Sequence, residues 1–403
     1  MIVLNADQSN ADKLISDWFF KGTKQVFVLT GYAGTGKTAL LKHVVLDTLR
    51  LDDTVSAAFV TPTGKAATVL IKNGVSACTV HRLIYQSQIT EQTVEVNGKK
   101  ITVERLTFRR RENIDKAIKL IILDEASMVS DDVLGDILNF GVKVLLCGDD
   151  AQLPPVEGFN NFLKTPDYTL TKIVRQQLDN PIIKLARLAR ENKPLPFGNM
   201  GGNACVMSVQ KFKGSMREGV LKRSDQIICG LNRTRTKING EIRAALGFAG
   251  MPTDGDKLIC TLNNWETFID GGGRFNLVNG IIGTAVQPFY DRSAHMGFMQ
   301  FKPNFLDELC PEALPFDTGV FETGEYCYKH GDTFAKFDEN GEPTGVFTLN
   351  RFEFGYCISC HKAQGSEFDN VTVFDESFAF KEDRNRWLYT AVTRAKKKLI
   401  LIR

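Results

Sequence analysis

The first part of the chain is punctuated by short apolar runs, Val26–Leu29, Ser56–Val60, Lys119–Leu123 and Lys143–Cys147, each closed by polar or glycine-rich sequence. Runs of this length read as strands buried on both faces, the habit of a parallel sheet. The first two continue into helix-start patterns, so each predicts a βα unit. Upstream, Leu14, Ile15, Trp18 and Phe19 recur at helical spacing behind the polar stretch Asn5–Asn10, which predicts a capped first helix. A second set of runs, Asp225–Cys229, Tyr356–Ser359, Val371–Phe374 and Leu399–Ile402, predicts another sheet. Two stretches break this rhythm. Thr93–Val103 alternates apolar and polar residues around Asn97-Gly98, the strongest short-range hairpin pattern. Residues 256–350 are dotted with Gly271, Gly272, Gly273, Gly280 and Gly283, and short β-prone segments such as Asn279–Val286 predict an inserted small β barrel.

The expected organisation is therefore α/β with parallel sheets. A first domain spans residues 1–85 and 116–170 around an inserted hairpin at 86–115. A second spans 171–255 and 351–403 around the barrel at 256–350. A length of 403 residues fits two or three domains, and 43% hydrophobic residues is ordinary for a soluble globular chain. The net charge of +3 is mild, so a polyanionic partner must be met by local patches and not by an overall field. Nine cysteines without regular spacing point to reduced thiols and an intracellular setting, with no export signal and no membrane-length apolar run. Cys357-Ile358-Ser359-Cys360-His361 matches the pattern of covalent haem attachment, but it sits inside an apolar strand pattern, and compartment and ligand count oppose a haem or metal role.

Candidate chemistry starts after the first run. Gly31-Tyr32-Ala33-Gly34-Thr35-Gly36-Lys37-Thr38 satisfies G-x-x-x-x-G-K-[ST] between a strand and a helix, the context a phosphate-binding loop needs. Gly34, Thr35 and Gly36 would let successive N–H groups converge on phosphate oxygens. Lys37 would reach the β- and γ-phosphates of ATP, and the Thr38 hydroxyl would ligate Mg²⁺. Asp124 and Glu125 end the third run, where Asp124 would share the metal and Glu125 would orient and deprotonate the attacking water. Gln152, beyond the fourth run, is placed to sense the γ-phosphate. At the second strand's end, Thr61, Pro62, Thr63 and Lys65 could meet the phosphates of a bound strand, although helix capping explains the threonines almost as well. Thr79 and His81 form a similar polar loop. Phe108 and the arginines after it, beside the hairpin, could form a wedge at a nucleic-acid junction or a solvated insertion.

Taken in order, GYAGTGKT, TPTGKAA, DEAS and GDDAQLPPV resemble the motifs of superfamily 1 DNA helicases, in particular the RecD-like and Dda-like group. Val174-Arg175-Gln176 resembles the fourth motif of that group, Ser359–Glu367 the fifth and Trp387–Ala395 the sixth, so the likeness runs from Gln8 to Arg394. The resemblance implies two RecA-like motor domains, a hairpin wedge and an SH3-like barrel. It implies that Gln8 reads the adenine, that Gln364, Gly365 and Glu367 serve the nucleotide site, and that Arg175 and Arg394 are arginine fingers. Ser359, His361 and Lys362 would contact DNA, as would Asn232 in a further motif with Arg235 and Asn239. The implied activity is ATP-driven 5′ to 3′ movement on single-stranded DNA with duplex unwinding by a monomer, with replication or recombination proteins as candidate partners. It is an intracellular activity, and a phage protein in its host's cytoplasm fits the likeness. An ATP-gated strand-binding translocase that does not separate duplex stands beside that reading, and a small-molecule kinase further off.

Overall fold

The computed structural model describes residues 3–96, 99–156, 158–173, 180–273, 275–329, 331–337 and 343–403. The chain forms two compact units, one of Met1–Leu83, Asn113–Ile242 and Tyr356–Arg403 and the other of Ile84–Glu112 and Arg243–Gly355.

The first unit holds two six-stranded sheets. One runs, edge to edge, Ala77–Thr79, Ala57–Thr61, Leu120–Leu123, Lys143–Gly148, Val26–Gly31 and Tyr168–Leu170, with every pairing parallel. Leu120–Leu123 is wholly buried, as continuous apolar sequence at the centre of a parallel sheet requires. Each such Leu or Ile withdrawn from water contributes about 1.5 to 3 kcal/mol. Val60 pairs with Leu123 and Thr30 with Gly148, so the carboxyl ends of the central strands finish level. That edge is where open α/β sheets bind ligands.

The helix Ala6–Lys21 covers one face through Ala11, Ile15 and Trp18. Its last turn is closed by Lys143, whose Nζ donates to the carbonyls of Trp18 and Gly22 at 2.7 Å each and lies over the Trp18 ring.

The second sheet runs Cys357–Ser359, Gln226–Cys229, Phe368–Phe374, Ala395–Ile402, Ala204–Met207 and Gly198–Met200, parallel except for the last strand. Its four expected strands are present. Tyr168–Leu170, Gly198–Met200 and Ala204–Met207 go beyond the expectation from sequence. They are three or four residues long and sit on or next to a sheet edge, where little apolar surface is buried to mark them.

In the second unit, Tyr85–Val96 pairs antiparallel with Lys99–Arg110, Ser87 standing opposite Phe108. The turn residues Asn97 and Gly98 and the Phe108 side chain lie outside the described residues. The remainder is an antiparallel sheet in the order Leu314–Asp317, Met296–Pro303, Ile282–Asp291, Lys257–Cys260 and Phe352–Phe354, with two smaller strand pairs. The strand expected over Asn279–Val286 begins at Ile282 and runs on to Asp291. The sheet also reaches past residue 350, and the unit starts at Arg243, earlier than the composition change suggested.

Arg243 explains that start. Its guanidinium is buried against Asp256 at 3.0 Å, donates to the carbonyls of Gly250 and Met251, and lies 3.9 Å from the Phe354 ring centre. Phe301, Phe316 and Phe352 fill the core, and Gly297 is required where its missing Cβ would come within 2.5 Å of the Phe316 ring.

Candidate active site

The strand Val26–Gly31 delivers the chain into the glycine loop. Gly34 and Gly36 take positive φ angles of 83° and 78°, which a side chain would resist, and Gly36 precedes the helix that begins at Lys37. The Lys37 ammonium lies inside the loop and donates to the carbonyls of Gly31 at 2.7 Å and Tyr32 at 3.2 Å. Thr35 is fully buried, its hydroxyl donating to the Tyr32 carbonyl.

Gln8 is also buried. Its Oε1 accepts from the Asn5 N–H while Asn5 Oδ1 accepts from the Gln8 N–H, a reciprocal cap on the first helix, and its Nε2 donates to the Thr35 carbonyl at 3.2 Å. The side chain expected to read adenine thus braces the phosphate loop against the first helix, using one of its two amide hydrogens and one of its two oxygen lone pairs.

Across the strand ends, Thr38 Oγ1 donates to Asp124 Oδ2 at 3.0 Å, and Asp124 Oδ1 accepts from the N–H of Glu125, which sits at φ 54°. Burial pushes the Asp124 carboxyl up, against the pull of the Glu125 N–H, Lys37 and Thr38. Burial also raises Glu125, reinforced by Asp124 and opposed by Arg394 and Lys37. A hydroxyl and a carboxylate at this spacing form an all-oxygen pair. That suits a hard cation whose remaining positions come from phosphates and water, as magnesium prefers. No cluster of three or more His, Cys, Asp or Glu ligands occurs among the described residues, so the donor set fits that shared arrangement and not a protein cage.

The second sheet contributes the helix Arg384–Val392 and the residues after it. Tyr389 Oη accepts from the Ala33 N–H of the phosphate loop at 2.9 Å and donates to Asp149 Oδ2 at 2.8 Å. Asp149 accepts further from the Ala151 N–H and from Gln152 Nε2. Gln152 Oε1 accepts from Arg394 Nη2 at 3.4 Å, and Arg394 also donates to the carbonyls of Thr390 and Ser366 and to the Thr393 hydroxyl. The Leu153 N–H donates to the Thr390 hydroxyl, and Gln364 Nε2 donates to the Leu153 carbonyl.

Arg394 is only 4% exposed, so the basic run Lys396–Lys398 that follows does not carry it to the surface. Gly365 takes φ 67° beside Ala66, whereas Glu367 is exposed and pairs with Lys396 at 3.5 Å. Arg175 lies outside the described residues.

Sequence reasoning passed over Tyr389, Asp149 and Thr390, and also Arg190, whose guanidinium lies 3.5 Å from the centre of the Tyr32 ring. Tyr389 and Thr390 were inside a recognised motif, but spacing gave no hint of where their hydroxyls end.

Several candidate strand-binding residues need correction. Thr61 is fully buried and gives its hydroxyl to the Thr63 carbonyl, and Thr79 is buried and caps the next turn by accepting the Arg82 N–H, so neither presents a donor to a polynucleotide. Thr79 ends a strand and His81 lies in a short helix, not in the expected loop. The Lys65 ammonium is turned inward, 5.2 Å from the Phe368 ring centre. Thr63 caps the helix Gly64–Lys72, and Ser359 caps Cys360–Ala363. Asn239 is buried and clips the Cys357 backbone through both its amide groups. Pro62, His361 and Lys362 are half-buried, while His81 and Asn232 are exposed. The His361 ring packs against Phe380, which stacks on Trp387.

Residues 3–206 match the family model described as an AAA domain, and residues 354–402 match the UvrD-like helicase C-terminal domain. The ATP-dependent RecD2 DNA helicase of Deinococcus radiodurans is 27% identical over 92% of this chain and 46% of its own length. The ATP-dependent DNA helicase dda of Enterobacteria phage T4 is 28% identical over 47% of this chain and 43% of its own. The chain thus spans less than half of either relative. Among solved structures, Bacteroides Pif1 bound to ssDNA aligns over 100% of this chain and 92% of its own at 18% identity with a TM-score of 0.55, a likeness of fold.

Proposed function

From the premise that this chain belongs to the AAA-domain family, within the superfamily 1 helicases of the RecD, Pif1 and Dda-like group, we propose that it is a DNA-stimulated ATPase that moves 5′ to 3′ on single-stranded DNA and unwinds duplex. The observation that carries this reading is the joining of two sheets at one phosphate loop. Lys37, Thr38 and Asp124 gather at the carboxyl edge of the first sheet, and from the second sheet Tyr389 meets Ala33 of the same loop while Arg394 meets Gln152 beside it.

In this reading the loop N–H groups and Lys37 bind the β- and γ-phosphates. Thr38 and Asp124 would hold magnesium, which when bound would offset the charge of those phosphates. Glu125 orients the attacking water and accepts its proton, a role suited to a carboxylate whose proton affinity burial has raised. Arg394 and Arg175 supply positive charge to the γ-phosphate as it departs. Gln8, Gln364 and Gly365 hold the nucleotide's surroundings in place. Pro62, Asn232, His361 and Lys362 form the strand-contacting set.

The second unit supplies the hairpin as wedge and an SH3-like barrel. One base-pair step is worth about 1.4 kcal/mol, so fraying is disfavoured only about tenfold, and a wedge advanced by a motor can capture such openings. ATP turnover measured with and without single-stranded DNA, then unwinding of duplexes bearing a 5′ or a 3′ tail, tests the proposal. It expects strong stimulation and unwinding from the 5′ tail. Turnover indifferent to DNA would leave a nucleotide-using enzyme of another kind.

A further inference from the structure

We propose that Tyr389 is a positioning residue of the ATP site, passing the state of the phosphate loop to Arg394 through Asp149 and Gln152. The inference rests on the nucleotide reading above and goes beyond it, because no chemistry in that reading uses this side chain.

A tyrosine hydroxyl carries one hydrogen, and here the acceptor partner is the Asp149 carboxylate. The hydrogen therefore points to Asp149 and a lone pair takes the Ala33 N–H. Both partners belong to loops at the carboxyl edge of the first sheet, whereas Tyr389 belongs to a helix of the second.

Ala33 lies in the loop whose N–H groups are built to converge on phosphate. A phosphate oxygen that competes for this N–H changes what the tyrosine oxygen holds, and through it the carboxylate that also orients Gln152. Gln152 Oε1 in turn meets Arg394.

Two features make the relay stiff. Tyr389, Asp149, Gln152 and Arg394 are between 0% and 5% exposed, so each bond is made in a low-dielectric setting where a lost partner is not replaced by water. Thr390 pins the Leu153 N–H from the same helix, and Arg394 follows within one turn, its own N–H donating to the Ala391 carbonyl. Movement of the Asp149–Leu153 loop and of the guanidinium are thereby tied together.

The test is Tyr389→Phe in the full chain, which deletes only the oxygen. The expected result is an ATP KM within about threefold of the parent, a kcat in saturating single-stranded DNA lowered at least about tenfold, and almost no further loss when the change is made in an Arg394→Ala background. A merely structural tyrosine would lower thermal stability and leave kcat per folded molecule unchanged, or act additively with Arg394→Ala, and either result overturns the proposal. Should Tyr389→Phe fail to fold, Asp149→Asn breaks the same relay by removing the charge, and must show the same split and the same non-additivity. Lys37→Ala separates the two levels. If it retains turnover, the nucleotide reading itself falls, whereas an inert Lys37→Ala beside an unaffected Tyr389→Phe removes only the relay.

Discussion

Arg394 shows how much a single side chain's surroundings decide. In the sequence it heads a run of lysines, yet it is buried and gives hydrogen bonds to four partners on three segments. Arg394→Ala is expected to leave nucleotide affinity near normal and to lower turnover by about 10³-fold, the scale of an arginine finger, as read by steady-state kinetics beside nucleotide titration. His361 offers a test with a sign. Burial is the main influence on it and lowers its pKa below 6.5, with Asp383 pulling the other way. The unfolded chain therefore binds the extra proton first, and this contribution to stability is complete above about pH 6.5 and lost as pH falls below it. Denaturant titration at pH 7.5 and 5.5 should show a smaller acid loss for His361→Gln than for the parent.

At the scale of elements, the ends of helices and strands carry most of the design. The helix Asn232–Ala245 begins under Glu376, whose carboxylate accepts from the N–H groups of Gly230 and Leu231 and from the Thr234 hydroxyl. Three bonds to one charged group imply that Glu376→Ala destabilises the chain by about 2 kcal/mol, measurable by chemical denaturation. The same change should weaken strand binding through displacement of Asn232. The hairpin makes a different prediction. If Tyr85–Val96 and Lys99–Arg110 form a wedge, shortening both strands by two residues around the turn should reduce unwinding by far more than it reduces DNA-stimulated ATP turnover. Equal losses in both assays would make the hairpin a structural part of its unit.

For the molecule as a whole, a net charge of +3 means that binding to a polyanion depends on local contacts. Affinity for single-stranded DNA should then fall linearly on a logarithmic salt scale, with a slope of about −0.7 per phosphate neutralised. Affinity that does not change with salt would argue against the strand-contacting set proposed above.

Much of this molecule was legible from local pattern. Apolar runs closed by glycine or carboxylates marked the central strands, because a strand buried on both faces must be continuously apolar, and the phosphate loop followed because only its glycines permit the backbone it needs. The short edge strands left no such trace, since edges bury little. Which hydroxyl meets which carboxylate was likewise out of reach, as Tyr389, Asp149, Ala33 and Gln152 come together only when two sheets place distant segments side by side. The inward turn of Thr61 and Lys65 and the engagement of Gln8 were decided in the same way. Residue type states what a side chain is able to donate or accept, but burial and packing choose its partner.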